Sequence, residues 1–120
     1  MLYNLHREYK HIIKDIQILK FRTLLNSYEL LAEIIFIDDS ILYIKEYLFL
    51  NGKRKYSYHW QSKDGNLITR WDNAPHWPDI LTFPHHKHIK DVSQIEASKE
   101  KNLKDVLKYI DEFIGSSTND

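Results

Sequence analysis

The chain predicts an α+β fold: an antiparallel meander of about five strands, with an N-terminal and a C-terminal helix packed on one face. Three observations carry this. Apolar residues recur at helical spacing near both ends of the chain. Between those ends they alternate at period two, in runs separated by Asn, Asp and Gly. Neither helix stands between two consecutive strands of the meander, so the pattern is not that of βαβ units.

The elements follow in order. Leu2, Leu5, Tyr9, Ile12, Ile13 and Ile16 share a stripe, which predicts an amphipathic helix over residues 2 to about 14. Ile16 to Thr23 reads as a first strand. Ser27 to Ile37 is a second, with Tyr28, Leu30, Ala32, Ile34 and Phe36 on one face. Asp38-Asp39-Ser40 is turn chemistry, and Ile41 to Leu50 is a third strand rich in β-branched and aromatic residues. Asn51-Gly52 predicts a two-residue hairpin into Lys53–Ser62. Asp64-Gly65 turns the chain into Leu67–Asn73. Pro75, Pro78 and Pro84 then forbid regular helix or central strand, so this stretch is expected to be a long loop. Leu103, Val106, Leu107, Ile110, Phe113 and Ile114 form the stripe of a C-terminal helix. Ser98 or Asn102 is placed to cap its start, Gly115 stands past its end, and Ser116–Asp120 forms a polar tail.

Composition narrows the function. The 120 residues fit one domain spanning 1–120, and 42% hydrophobic residues suffice for a core. Basic and acidic residues number 17 each, so any polyanion must be held by a local patch and not by the net field. The chain has no cysteine, which excludes disulfides and thiolate metal sites and fits a cytoplasmic protein. Charged residues interrupt the N-terminal apolar stripe, so no secretory signal is read. The apolar runs are too short to span a bilayer, and no membrane partner is expected. With three glycines and no G-x-S-x-G, a P-loop or a serine hydrolase elbow is excluded.

The chemistry concentrates between Tyr56 and His88. Five of the seven histidines and all the tryptophans and prolines fall there. A two- or four-residue loop at Asp64-Gly65 would pair His59 with Arg70, Ser57 with Asp72, and Tyr58 with Trp71. Tyr56, Tyr58, Trp60, Leu67, Thr69 and Trp71 then make a packing face. Ser57, His59, Gln61, Ile68, Arg70 and Asp72 make a polar one. His76, His85, His86, Lys87 and His88 follow and can fold back over it. Several imidazoles beside Arg, Lys and Asp suit phosphodiester chemistry. One imidazole takes a proton from a ribose 2′-hydroxyl and a second protonates the leaving oxygen. A guanidinium or ammonium holds the phosphate. The candidate catalytic residues are His59, Arg70, Asp72, His76, His85, His86 and His88. Candidate substrate contacts are Tyr58, Gln61, Asn73, Trp77 and Lys87. This reading needs no metal or other cofactor. Histidines at this density also suit a transition metal, and His86 and His88 project together if their stretch is extended, but neither cysteine nor a His-Glu-x-x-His pattern supports one.

Three blocks carry a resemblance: Tyr56-Ser57-Tyr58-His59-Trp60-Gln61, Arg70-Trp71-Asp72-Asn73-Ala74-Pro75-His76, and Phe83-Pro84-His85-His86-Lys87-His88. They resemble the TumE-like proteins of prokaryotic toxin–antitoxin modules. Trp77 departs from the family pattern, which has a second histidine there. The resemblance implies a type II toxin with a small DNA-binding antitoxin as partner, and by analogy of class a ribonuclease acting on RNA. The alternative is a non-enzymatic module that binds RNA, a ligand or a protein and whose toxicity is stoichiometric; under either reading the chain could form an oligomer.

Overall fold

A computed structural model describes residues 2–118. The fold is one antiparallel sheet in sequence order, flanked by two helices: α1 (Leu2–Glu8), β1 (Ile13–Leu24), β2 (Ser27–Phe36), β3 (Ile41–Leu48), β4 (Arg54–Gln61), β5 (Leu67–Asp72), β6 (His86–Ile89), β7 (Ile95–Ala97) and α2 (Leu103–Thr118). The α+β class and the meander hold, but the sheet has 7 strands, not about five. The two additional strands come from the stretch expected to be loop. The prolines do stay outside the sheet, in the connection between β5 and β6. Beyond them the chain returns antiparallel along β5, with Asp72 opposite His86 and Arg70 opposite His88.

The first helix is shorter than its periodicity implies. It ends at Glu8, and Tyr9 and Ile12 turn into the core without continuing it. The Ile37 amide donates to the Ile12 carbonyl at 2.8 Å, which draws the chain into the sheet. The β-branched pair Ile12-Ile13 favours that extended conformation.

One face of the sheet carries the core. Cross-strand rows run Leu30–Glu46–Tyr56, Ala32–Ile44–Tyr58–Trp71 and Ile34–Leu42–Trp60–Thr69. Leu5 of α1 and Leu103, Val106, Leu107, Ile110 and Ile114 of α2 close over these rows, so both helices pack on one face as the patterning implies. Burial of these side chains is the main stabilising term. The Asn102 carboxamide caps α2 by accepting the Asp105 amide at 2.9 Å. The Asp105 carboxylate accepts the Lys101 amide in return. The helix continues through Gly115 to Thr118, so the expected tail is partly helical, and Asn119 and Asp120 lie outside the described residues.

The turns depart in detail. The β3–β4 ladder closes between Phe49 and Lys53, making Leu50-Asn51-Gly52 a three-residue loop in place of the expected two-residue one. Gly52 takes a φ of 84°, a conformation glycine adopts without steric cost. Among the described residues no helix is long and apolar enough to cross a membrane.

Candidate functional site

The β4–β5 register pairs Ser57 with Asp72, Tyr58 with Trp71 and His59 with Arg70. This pairing and the β5–β6 ladder build two polar rows on the face opposite the helices. One runs Tyr43–His59–Arg70–His88, the other Lys45–Ser57–Asp72–His86. The rows exist because side chains alternate along each strand and the four strands β3 to β6 are in phase.

The Asp72 carboxylate is the hub. Its Oδ1 lies 2.9 Å from His86 Nε2 and accepts the Ala74 amide at 3.0 Å. Its Oδ2 lies 3.6 Å from His88 Nε2 and 3.5 Å from Arg70 Nε. The far nitrogens of both imidazoles reach backbone carbonyls. His86 Nδ1 is 3.0 Å from the Pro84 oxygen, and His88 Nδ1 is 2.7 Å from the Val92 oxygen. The two rings meet edge to face at 5.0 Å. Although no helix among the described residues covers this face, the His86 side chain is 2% exposed and that of His88 11%. The Arg70 side chain is 35% exposed. His59 is half-buried and places its Nδ1 3.4 Å from Arg70 Nη1. His76 is exposed in the proline loop, two residues beyond the amide that grips Asp72.

Other residues expected at the site lie elsewhere. Tyr58 is fully buried on the helix face, where it donates to Glu46 and accepts from Arg54. That position removes it as a substrate contact. Lys87 also points to the helix face because it alternates with His86 and His88. Its ammonium pairs with Glu100 at 3.0 Å and sits 5.0 Å from the Tyr109 ring centroid, so its charge is already matched. His85 joins the helix side, its Nδ1 2.8 Å from the Tyr56 hydroxyl and its ring stacked on Tyr56. Asn73 holds the end of β5: it accepts the Tyr56 amide and donates to the Arg54 carbonyl. Trp77 is exposed in the loop, and Gln61 is half-buried at the end of β4. Sequence reasoning missed Glu46, which is buried and also accepts from Tyr28 at 3.1 Å. The signal was its place in the alternation Leu42, Ile44, Glu46, where a carboxylate on the packing face needs partners.

Burial pushes the His59 imidazole below the usual histidine range, and the neighbouring Arg70 guanidinium pushes it the same way. Burial also lowers His85, with Lys101 and Arg54 adding to it. A histidine held neutral in the fold is protonated first in the unfolded chain. Its contribution to stability is therefore present above the unfolded value of about 6.5 and is lost as pH falls from there to the lower folded value. The protein should resist urea better at pH 7.5 than at pH 5.5, and His59→Gln should narrow that difference. An unchanged difference between urea midpoints in the variant would contradict the assignment.

An α+β protein with a helix-free face of imidazole, carboxylate and guanidinium is the class that fold and site define. Within that class the assignment is specific: the family model described as Toxin TumE matches residues 2–114, and the chain belongs to that toxin family. Comparisons with curated proteins and with solved structures give no match.

Proposed function

We propose that this toxin is a ribonuclease, paired with a small DNA-binding antitoxin, that cleaves RNA by general acid–base chemistry on the helix-free face. The observation that carries the reading is the half-buried pairing of His59 with Arg70, 3.4 Å apart on adjacent strands. One phosphodiester can meet both groups. The guanidinium turns from His59 Nδ1 to the non-bridging oxygens, which frees the Nδ1 lone pair of the neutral imidazole for the adjacent 2′-hydroxyl. His59 takes the 2′-hydroxyl proton, the 2′-oxygen attacks phosphorus, and the bond to the 5′-oxygen breaks. The exposed imidazole of His76 returns a proton to that leaving oxygen. Asp72 orients Arg70, Asn73 fixes the strand end beneath it, and the exposed Trp77 ring offers a base-stacking surface. His86 and His88 are too enclosed to exchange protons with a long polymer, so the reacting pair is half-buried His59 and exposed His76.

The test is incubation of purified protein with defined RNA, followed by analysis of product ends. Catalytic turnover giving 2′,3′-cyclic phosphate and 5′-hydroxyl ends is expected, with 2′-O-methyl RNA left intact. Products ending in 3′-hydroxyl would overturn the mechanism. Tight RNA binding without turnover would replace it by the stoichiometric module.

A further inference from the structure

We propose that Asp72, His86 and His88 form a binding site for one divalent transition-metal ion of the zinc or cobalt type. The ladder places Asp72 opposite His86, and His88 stands two residues further along the same face. One donor atom from each residue lies within 4.8 Å of the other two. A single ion can therefore be reached by all three.

The tautomers make the case. A backbone carbonyl only accepts hydrogen bonds, so the Nδ1 atoms facing Pro84 and Val92 both carry a proton. In a neutral imidazole this leaves a lone pair on Nε2. Both lone pairs then face one carboxylate, at 2.9 and 3.6 Å. Two lone pairs against an anion are repulsive unless positive charge stands among them. A proton on His86 alone satisfies the shorter contact and leaves the His88 lone pair facing the carboxylate at 3.6 Å. One shared metal ion satisfies all three donors at once. Histidine ligands characteristically donate their other N–H to a carbonyl or carboxylate, which fixes ring orientation, and both rings do so here.

The donor set indicates the ion. Two imidazole nitrogens and one carboxylate oxygen suit borderline divalent transition metals, whereas calcium and magnesium take oxygen ligands. The ion plays no part in the acid–base step above, and the proposal does not depend on that reading. It would fix β5, β6 and the start of the proline loop to one another.

The experiment uses the full chain with any affinity tag removed, stripped with chelator and titrated with Co²⁺ and with Zn²⁺ in the absence of RNA. One equivalent should bind, Co²⁺ should give the visible absorption of a low-coordinate site, and melting temperature should rise on loading. His88→Gln and Asp72→Asn should each weaken binding by more than about 10-fold. His11→Gln, on the remote exposed surface, should leave it unchanged. The parent protein's Co²⁺ spectrum carries the test if a variant fails to fold. Absence of binding at millimolar ion would overturn the proposal and leave a protonated His86 paired with Asp72. Binding undiminished in both site variants would overturn it too, assigning the metal to surface histidines.

Discussion

Replacing Trp60 by alanine is expected to destabilise the protein by about 3–5 kcal/mol, the usual cost of deleting a fully enclosed aromatic side chain. Trp60 is 0% exposed and belongs to β4, the central strand of the sheet. Its ring meets Phe113 edge-on at 4.9 Å and stacks beside Trp71 at 6.4 Å. Its indole N–H donates to the Ser40 hydroxyl at 3.0 Å. The substitution thus leaves a cavity between sheet and helix and removes one of the two partners of the buried Ser40 hydroxyl, which still donates to Asp38. A domain of this size has roughly 5–15 kcal/mol to lose in all. Urea unfolding of parent and variant measures the difference, with Trp77→Ala as control. Trp77 is 40% exposed and should shift stability by no more than about 0.5 kcal/mol. A loss below about 1 kcal/mol at Trp60 would show that the ring is not a core element.

That core was legible because β2, β3 and β4 state their inward face by alternation. Tyr56, Tyr58 and Trp60 in β4, with Trp71 in β5, identify the packing face from parity alone. The pairing of His59 with Arg70 is the expected one but is reached differently: the loop has three residues, Lys63-Asp64-Gly65, in place of two or four, and a bulge between Trp60 and Gln61 restores the register. Two limits of the reading have physical causes. Tyr9, Ile12 and Ile13 continue the helical period although the helix has ended. Burial in the turn selects apolar residues as strongly as burial on a helix does. The strand His86–Ile89 was hidden because its inward positions on the polar face are histidines, which carry no hydrophobic alternation. The free edge of β5 defines that strand, and an edge is a property of the assembled sheet. Once β6 is extended, the histidine group divides. His86 and His88 reach Asp72, while His85 and Lys87 turn to the helices. A cluster in sequence is therefore two sites in space.

Arg70→Ala is expected to lower RNA-cleavage kcat/KM by on the order of 10²–10³-fold, the usual cost of removing one preorganised charge-stabilising donor. The side chain is 35% exposed and contacts Asp72 and His59 with no part in the core, so the fold should persist and the loss should be read as chemistry. Arg70→Lys separates charge from geometry. An ammonium keeps the positive charge but lacks the planar fork that meets two phosphate oxygens together, so rescue should be partial. The same substitution also tests the coupling to His59. Loss of the neighbouring guanidinium removes one of the two influences that lower the His59 imidazole, leaving burial as the other. The acid limb of the Arg70→Ala pH–rate profile should therefore move to higher pH. If cleavage by Arg70→Ala stays within about 3-fold of the parent, less than 1 kcal/mol of transition-state stabilisation has been lost. The phosphate must then be held elsewhere, and the cross-strand row of Tyr43, His59, Arg70 and His88 would be a structural feature of the sheet and not its reacting face.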